Sequence, residues 1–192
     1  MYLSRINKSY PTDVGKKLVL CNFSADIPDG CITVITGKSG CGKTTLLRII
    51  AGLEDFEGEI HGNAGKKIAM VFQENRLCPQ LSALGNCIAA GCKSDEALDA
   101  LISMGFEESD TAVPAAALSG GMCRRGEIAR CLTSDGEILL MDEPFAGLDG
   151  VTKERTIETI KRLRKGRTTV IVTHTNEQSL FEGKTIAMKP VE

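Results

Sequence analysis

Eight consecutive residues, Gly37-Lys38-Ser39-Gly40-Cys41-Gly42-Lys43-Thr44, have the types and spacing to hold a polyphosphate. They fit G-x-x-x-x-G-K-[ST], a loop whose backbone N–H groups turn inward on an anion. In that arrangement Lys43 reaches the β- and γ-phosphates and Thr44 holds Mg2+, with Thr45 next to it at the start of a helix. A second stretch, Leu118-Ser119-Gly120-Gly121-Met122, also places a serine and glycines before helical spacing, which makes a second anion-binding helix start. Asp142 and Glu143 end an apolar run, where two carboxylates are costly unless they meet cations or polarised water. Asp142 suits Mg2+ coordination, and Glu143 suits orienting or deprotonating an attacking water. Gln73 and His174 each end a strand-like run, Gln73 as a contact for Mg2+ or water and His174 as a γ-phosphate contact. Tyr10, one of two tyrosines, offers a flat face to an adenine ring from a turn-rich segment.

The elements that must position these residues follow from periodicity. Ile32-Thr33-Val34-Ile35 is short and β-branched, as a buried parallel strand requires, and Thr45 to Ala51 continues as an amphipathic helix. Strand, glycine turn and helix therefore occur in the order that aims loop amides and a helix dipole at one anion. Upstream, Leu3–Ile6 and Leu18–Ile27 predict two antiparallel strands separated by the turn-rich Tyr10 to Gly15. Glu57–Gly62 predicts a short strand with His61 on its surface, and Lys66–Phe72 a second strand. Ser82–Gly91 and Ser94–Met104 predict helices, so residues of about 77–118 are expected to form a helical subdomain inserted in an α/β core of 1–76 and 119–192. Ile138–Met141 and Thr168–Thr173 are buried strands, Gly147-Leu148-Asp149 is a turn, and Val151–Leu163 is a charged amphipathic helix. Lys184–Lys189 adds a last short strand.

Bulk properties narrow the class. The chain has 192 residues, 25% of them charged and 42% hydrophobic, with a formal net charge of −2. It lacks the basic excess of a nucleic-acid binder. No run approaches the roughly 18–20 apolar residues that span a bilayer, and the N-terminus has no signal-peptide core. A cytoplasmic location is expected, with any membrane role supplied by a partner. The eight cysteines contain no C-x-x-C pair and read as small buried hydrophobes in a reducing compartment. Cys41 is the exception, because a thiol among loop amides feels a positive field that favours the thiolate.

Taken together, the set resembles the nucleotide-binding subunit of an ATP-binding cassette (ABC) transporter over almost the whole chain. Gly37–Thr44 is similar to the Walker A loop, Gln73 to the Q-loop, Leu118–Met122 to the signature sequence and Ile138–Glu143 to the Walker B strand. Leu148-Asp149 resembles the D-loop, His174 the switch histidine, and Tyr10 the adenine-stacking aromatic. The resemblance implies a P-loop α/β fold with an N-terminal antiparallel β part, ATP and Mg2+ as ligands, and ATP hydrolysis coupled to translocation. It also implies a head-to-tail dimer in which Ser119, Gly120, Gly121 and Asp149 of one chain meet the nucleotide of the other. Within one domain the carboxylates and the signature helix cannot easily reach a single nucleotide. The implied partners are a transmembrane permease, a second ATPase subunit and a solute-binding protein, with no nucleic acid, and the implied place is the cytoplasmic face of the membrane.

The strings Phe72–Leu77, Ser119–Met122 and Asp142–Phe145 resemble bacterial importers of the nitrate, sulfonate and taurine branch. The signature ends in Met122 where glutamine is commonest, and Gly126 lies inside the following helix, where glycine costs about 1 kcal/mol relative to alanine. Two alternatives share these motifs: the ATPase of an exporter, lipoprotein-release or cell-division complex, and a nucleotide-dependent regulatory module without turnover. The short interval between Gln73 and Leu118 excludes the long coiled coil that DNA-repair relatives insert there.

Overall fold

The computed structural model describes residues 1–13, 15–173 and 179–191. The described residues form two sheets and five α-helices. β1 (Tyr2–Thr12), β2 (Gly15–Asp26) and β4 (Glu57–His61) make an antiparallel sheet of order β2-β1-β4. β3 (Ile32–Gly37), β5 (Ile68–Val71), β6 (Ile138–Asp142), β7 (Thr168–Val172) and β8 (Lys184–Met188) make a parallel sheet of order β5-β6-β7-β3-β8. The helices are α1 (Lys43–Ile50), α2 (Ala83–Ala89), α3 (Ser94–Ser103), α4 (Gly120–Thr133) and α5 (Gly150–Leu163).

The central strands are apolar on both faces because both faces are covered, as a parallel sheet demands. Val34, Leu139, Met141 and Ile171 pack into one core with Ile128 of α4, Ile157 and Ile160 of α5, and Ala100 and Leu101 of α3. Their alternating neighbours Ile35, Ile138, Leu140, Val170 and Val172 pack into a second core with Leu46, Leu47 and Ile50 of α1. Leu3, Ile6 and Leu20 of the antiparallel sheet close that second core. The two-residue strand period thus splits one sheet between two layers.

The hairpin differs from its expected bounds. Tyr10, Pro11 and Thr12 belong to β1 rather than to a turn, opposite Lys17, Lys16 and Gly15. β4 pairs with β1 only as far as Asn7, so beyond that point β1 is an edge strand and the missing N–H of Pro11 leaves no ladder bond unmade.

The glycine inside α4 also finds its reason. A Cβ on Gly126 would lie 3.3 Å from Leu77 Cδ1 and 3.7 Å from Ala83 Cβ, so the helix trades propensity for close approach of the 77–83 segment. Three arginines then cap the carboxyl end of α3: Arg125 Nη1 donates to the Met104 carbonyl at 2.7 Å, Arg155 Nη2 to Ile102 at 2.7 Å, and Arg162 to the Ser103 hydroxyl at 2.6 Å.

Of the eight cysteines, five are buried, while Cys21, Cys31 and Cys78 are exposed. Burial pushes the Cys87 and Cys131 thiols up to about 12, so both stay protonated packing groups. No helix among the described residues is long and apolar enough to cross a membrane.

Candidate functional site

The phosphate loop lies where β3 leaves the sheet. Gly42 caps α1 at φ +95°, and no side chain among the described residues caps that helix start. The first turn carries no acidic residue, so the positive end of the helix is left to an external anion. A Cβ on Gly42 would sit 3.0 Å from both Val19 Cγ1 and Leu20 Cδ2, and one on Gly37 only 2.5 Å from the Met188 carbonyl oxygen. Glycine is thus required by approach as well as by backbone angle. The Lys43 side chain is buried, and its Nζ donates to the carbonyls of Gly37 at 2.9 Å and Lys38 at 3.1 Å. Cys41 packs inward, 1% exposed, in the core beside α1.

Around this loop is a cavity of about 260 Å3 lined by Ser39, Gly40, Gly42, Lys43, Thr44 and Thr45 together with Val19, Gln73 and Glu143. Tyr10 stands at its edge, with its hydroxyl 3.5 Å from Thr45 Oγ1 and the Lys8 ammonium 4.9 Å from its ring centroid. Lys38 is exposed on the loop outside the cavity lining.

The acidic end of β6 faces the same loop. Asp142 is 1% exposed, with the Thr44 hydroxyl beside it, and neither of its carboxylate oxygens has a partner in good hydrogen-bond geometry among the described residues. Burial is the main influence and raises its pKa; the Thr44 hydroxyl and the Arg48 and Lys43 charges pull the other way, and Glu143 adds to the rise. An orphaned buried acid next to a threonine hydroxyl at a helix start is a donor set that fits a hard divalent cation with oxygen ligands. Glu143 follows in the left-handed region at φ +46°, held by its N–H to the Val172 carbonyl at 2.9 Å. A non-glycine residue in that region is a strained backbone fixed by its surroundings.

Gln73, at the end of β5, lines the cavity and is anchored from behind. Arg124 of α4, nearly buried, donates to the carbonyls of Phe72 and Gln73 and pairs with Glu127 at 3.1 Å. Glu127, 1% exposed, accepts the Arg76 N–H, and Arg130 donates to the Arg76 carbonyl at 3.1 Å. Burial raises the Glu127 pKa, against the Arg76 amide and the charges of Arg124, Arg130 and Arg76.

The remaining sites lie apart. Ser119 caps α4, its Oγ accepting the Met122 N–H at 3.2 Å, and Ser119, Gly120 and Gly121 are absent from the cavity lining. Asp149 caps α5, its Oδ1 accepting the Thr152 N–H at 3.0 Å, which also lowers its pKa, and it too lies outside the cavity lining. His174 lies outside the described residues. Val19 is a lining residue that sequence reading missed, because only the pairing of β2 brings it over the loop. The Arg124–Glu127 pair was missed as well, since its partners are some fifty positions away in sequence. A larger cavity of about 510 Å3 lies at the amino ends of β6 and β7, lined in part by Asp135, Gly136, Arg167 and Thr168, and it holds none of the chemistry above.

Comparison with known proteins agrees with this geometry. The family model described as ABC transporter matches residues 20–146. The aliphatic sulfonates import ATP-binding protein SsuB 1 of Shouchella clausii is 38% identical over 184 residues, covering 93% of this chain and 72% of that protein. The SsuB protein of Bacillus subtilis is 38% identical over 196 residues, covering 94% and 76%. Among solved structures, the dimeric structure of MJ0796, a bacterial ABC transporter cassette, superposes with a TM-score of 0.88 at 31% identity, covering 98% of this chain and 94% of that one. A post-hydrolysis dimer of MJ0796 bound to ADP and Pi superposes with a TM-score of 0.86, also at 31% identity, covering 100% and 97%. With a family model matching residues 20–146 and relatives 38% identical over more than 90% of its length, the chain belongs to the ABC transporter family.

Proposed function

We propose that the chain is the ATP-binding and ATP-hydrolysing subunit that powers import of a sulfonate-like solute through a partner permease. One observation carries the reading: the uncapped helix start of α1, with its glycine loop and Lys43, faces an orphaned buried acid at the end of β6. Such an arrangement is costly unless a polyphosphate and a cation fill it. The relatives named for aliphatic sulfonate import support the solute class.

Within that reading the loop amides of residues 37–42 bind the phosphates, and Lys43 exchanges its loop carbonyls for phosphate oxygens. Thr44, Gln73 and Asp142 would hold Mg2+, which when bound neutralises phosphate charge. Glu143 orients the attacking water and accepts its proton, and its fixed backbone keeps that carboxylate from drifting. Tyr10 and Val19 form the base-binding side, and His174 is assigned to the γ-phosphate. Positioning and charge stabilisation account for most of the rate in phosphoryl transfer.

Ser119, Gly120, Gly121 and Asp149 are assigned to the nucleotide of a second, identical chain. Their absence from the cavity of their own chain supports this, as does the likeness to dimeric cassettes. Residues of about 77–118 are assigned to a helical subdomain that receives the permease, with the exposed Leu81 and Ile88 as its apolar face. The protein would therefore sit peripherally on the cytoplasmic face of the membrane, where a solute-binding protein completes the system from the other side.

The test is Mg2+-dependent ATP hydrolysis by the purified chain, and uptake of an alkanesulfonate into vesicles holding the chain with its permease. Hydrolysis abolished by Lys43→Ala and uptake dependent on ATP support the reading. A chain that binds ATP without turnover, alone and with its permease, contradicts it.

A further inference from the structure

Three side chains of α4 spaced three apart, Arg124, Glu127 and Arg130, satisfy four backbone groups of the segment 72–76. Arg124 takes the carbonyls of Phe72 and Gln73, Glu127 the N–H of Arg76, and Arg130 the carbonyl of Arg76. Beyond these bonds, the Asn75 Oδ1 accepts the Leu77 N–H at 2.9 Å and the Arg76 guanidinium lies 5.3 Å from the Phe72 ring centroid. Residues 73–76 are exposed, and their side-chain ion pairs, Arg48–Glu74 at 3.8 Å and Arg76–Glu74 at 3.7 Å, are long and solvent-facing. By contrast Arg124 and Glu127 are buried and paired with each other at 3.1 Å.

A buried ion pair is an expensive way to fill space, since apolar residues of similar volume often serve stability as well or better. What an apolar pair cannot do is bond backbone groups at two fixed points. The Arg124 fork reaches two successive carbonyls and the Glu127 carboxylate at once, which a lysine ammonium cannot match. We infer that Arg124 and Glu127 are positioning residues that set Gln73 in the phosphate cavity by fastening its backbone to α4. Ser119 caps the same helix, so one helix carries both the serine-glycine start and the anchors of the Gln73 segment. The inference rests on the assignment of Gln73 to the phosphate site made above.

The test pairs hydrogen exchange in the nucleotide-free chain with ATPase kinetics. Two variants are compared with the parent: Arg124→Lys, which keeps the charge and removes the fork, and the double replacement Arg124→Met with Glu127→Leu, which keeps an apolar filling. In the double replacement the Arg76 amide loses its Glu127 acceptor and is expected to exchange about tenfold faster, the scale of one lost hydrogen bond, while in both variants amides of β6 and central α4 keep their protection. kcat is expected to fall about tenfold, with the ATP concentration for half-maximal rate changing less than about twofold. Adding Gln73→Ala to Arg124→Lys is expected to cost no further rate, because both act through one group. Arg76 exchange in the double replacement within about twofold of the parent, or losses from Arg124→Lys and Gln73→Ala that multiply, would overturn the inference. Should the parent chain itself lack ATPase activity, the functional assignment fails and the exchange data alone decide the positioning.

Discussion

Lys43 Nζ donates to the carbonyl oxygen of Gly37 at 2.9 Å, so the phosphate loop closes on its own lysine. A second bond, to Lys38 at 3.1 Å, completes the tie. The ammonium is therefore already positioned at the mouth of the loop, and binding a triphosphate exchanges neutral acceptors for charged ones. The charged ammonium is attracted more strongly to an anionic phosphate oxygen than to a neutral carbonyl, which favours the exchange.

Lys43→Ala should leave a folded chain that loses hydrolysis. Removing one well-aimed charge costs on the order of 10^2 to 10^3 in rate, and steady-state phosphate release by parent and variant measures it. A residual rate within a few-fold of the parent would remove Lys43 from the role assigned to it.

Asp142→Asn should stabilise the nucleotide-free chain at neutral pH. Burial raises the Asp142 pKa in the folded state, so the native chain holds this proton more tightly than the unfolded chain does. The protonated acid contributes stability that is full below the ordinary carboxylate pKa and is lost as pH rises through the raised value. The variant escapes that loss, and its melting temperature should exceed that of the parent more at pH 7.5 than at pH 4. The expected gain at pH 7.5 is a few degrees, at about 2–4 °C per kcal/mol for a chain of this length. With Mg-ATP the order should reverse, because only the parent gains a cation. Equal melting temperatures across the range would contradict the account of Asp142.

Two loop glycines should respond differently to alanine. At Gly42 a Cβ meets Val19 and Leu20 at 3.0 Å on a backbone with φ +95°, whereas at Gly40, φ +80°, it meets nothing within 4 Å. Gly40→Ala should cost about 1 kcal/mol of backbone strain, and Gly42→Ala about 2 kcal/mol or more through added crowding. Urea midpoints of the two variants measure the difference, and equal losses would show that crowding is not what selects Gly42.

Glu143→Gln should bind ATP as the parent does and hydrolyse it at least about 100-fold more slowly, since the amide keeps the shape and loses the base. Single-turnover hydrolysis separates the chemical step from binding. Turnover like that of the parent would place the base elsewhere.

Much of this site was legible in the sequence because its geometry is local. Gly37–Thr44 carries its own strand, turn and helix, and Asp142 and Glu143 follow an unbroken apolar strand, so spacing alone fixes their relation. What was not legible depends on pairing across the fold. Tyr10 looked like a turn residue beside a proline, and only the one-sided pairing of β1 beyond Asn7 makes it strand. Val19 faces the loop because β2 crosses over Gly42, and the glycine at 126 has its reason in Leu77, which packs against it. Nothing in the sequence singles out Arg124 or Glu127, whose value appears only when the segment after β5 lies along α4.

The central claim is that two chains share their nucleotides, each lending Ser119 to the other. The mass of Glu143→Gln in solution, measured by light scattering with and without Mg-ATP, tests it most directly. The expected result is 20.6 kDa without nucleotide and twice that with Mg-ATP, falling back when Ser119 is replaced by arginine. A variant that binds one ATP per chain and stays at the mass of a single chain, alone and with its permease, would contradict the claim.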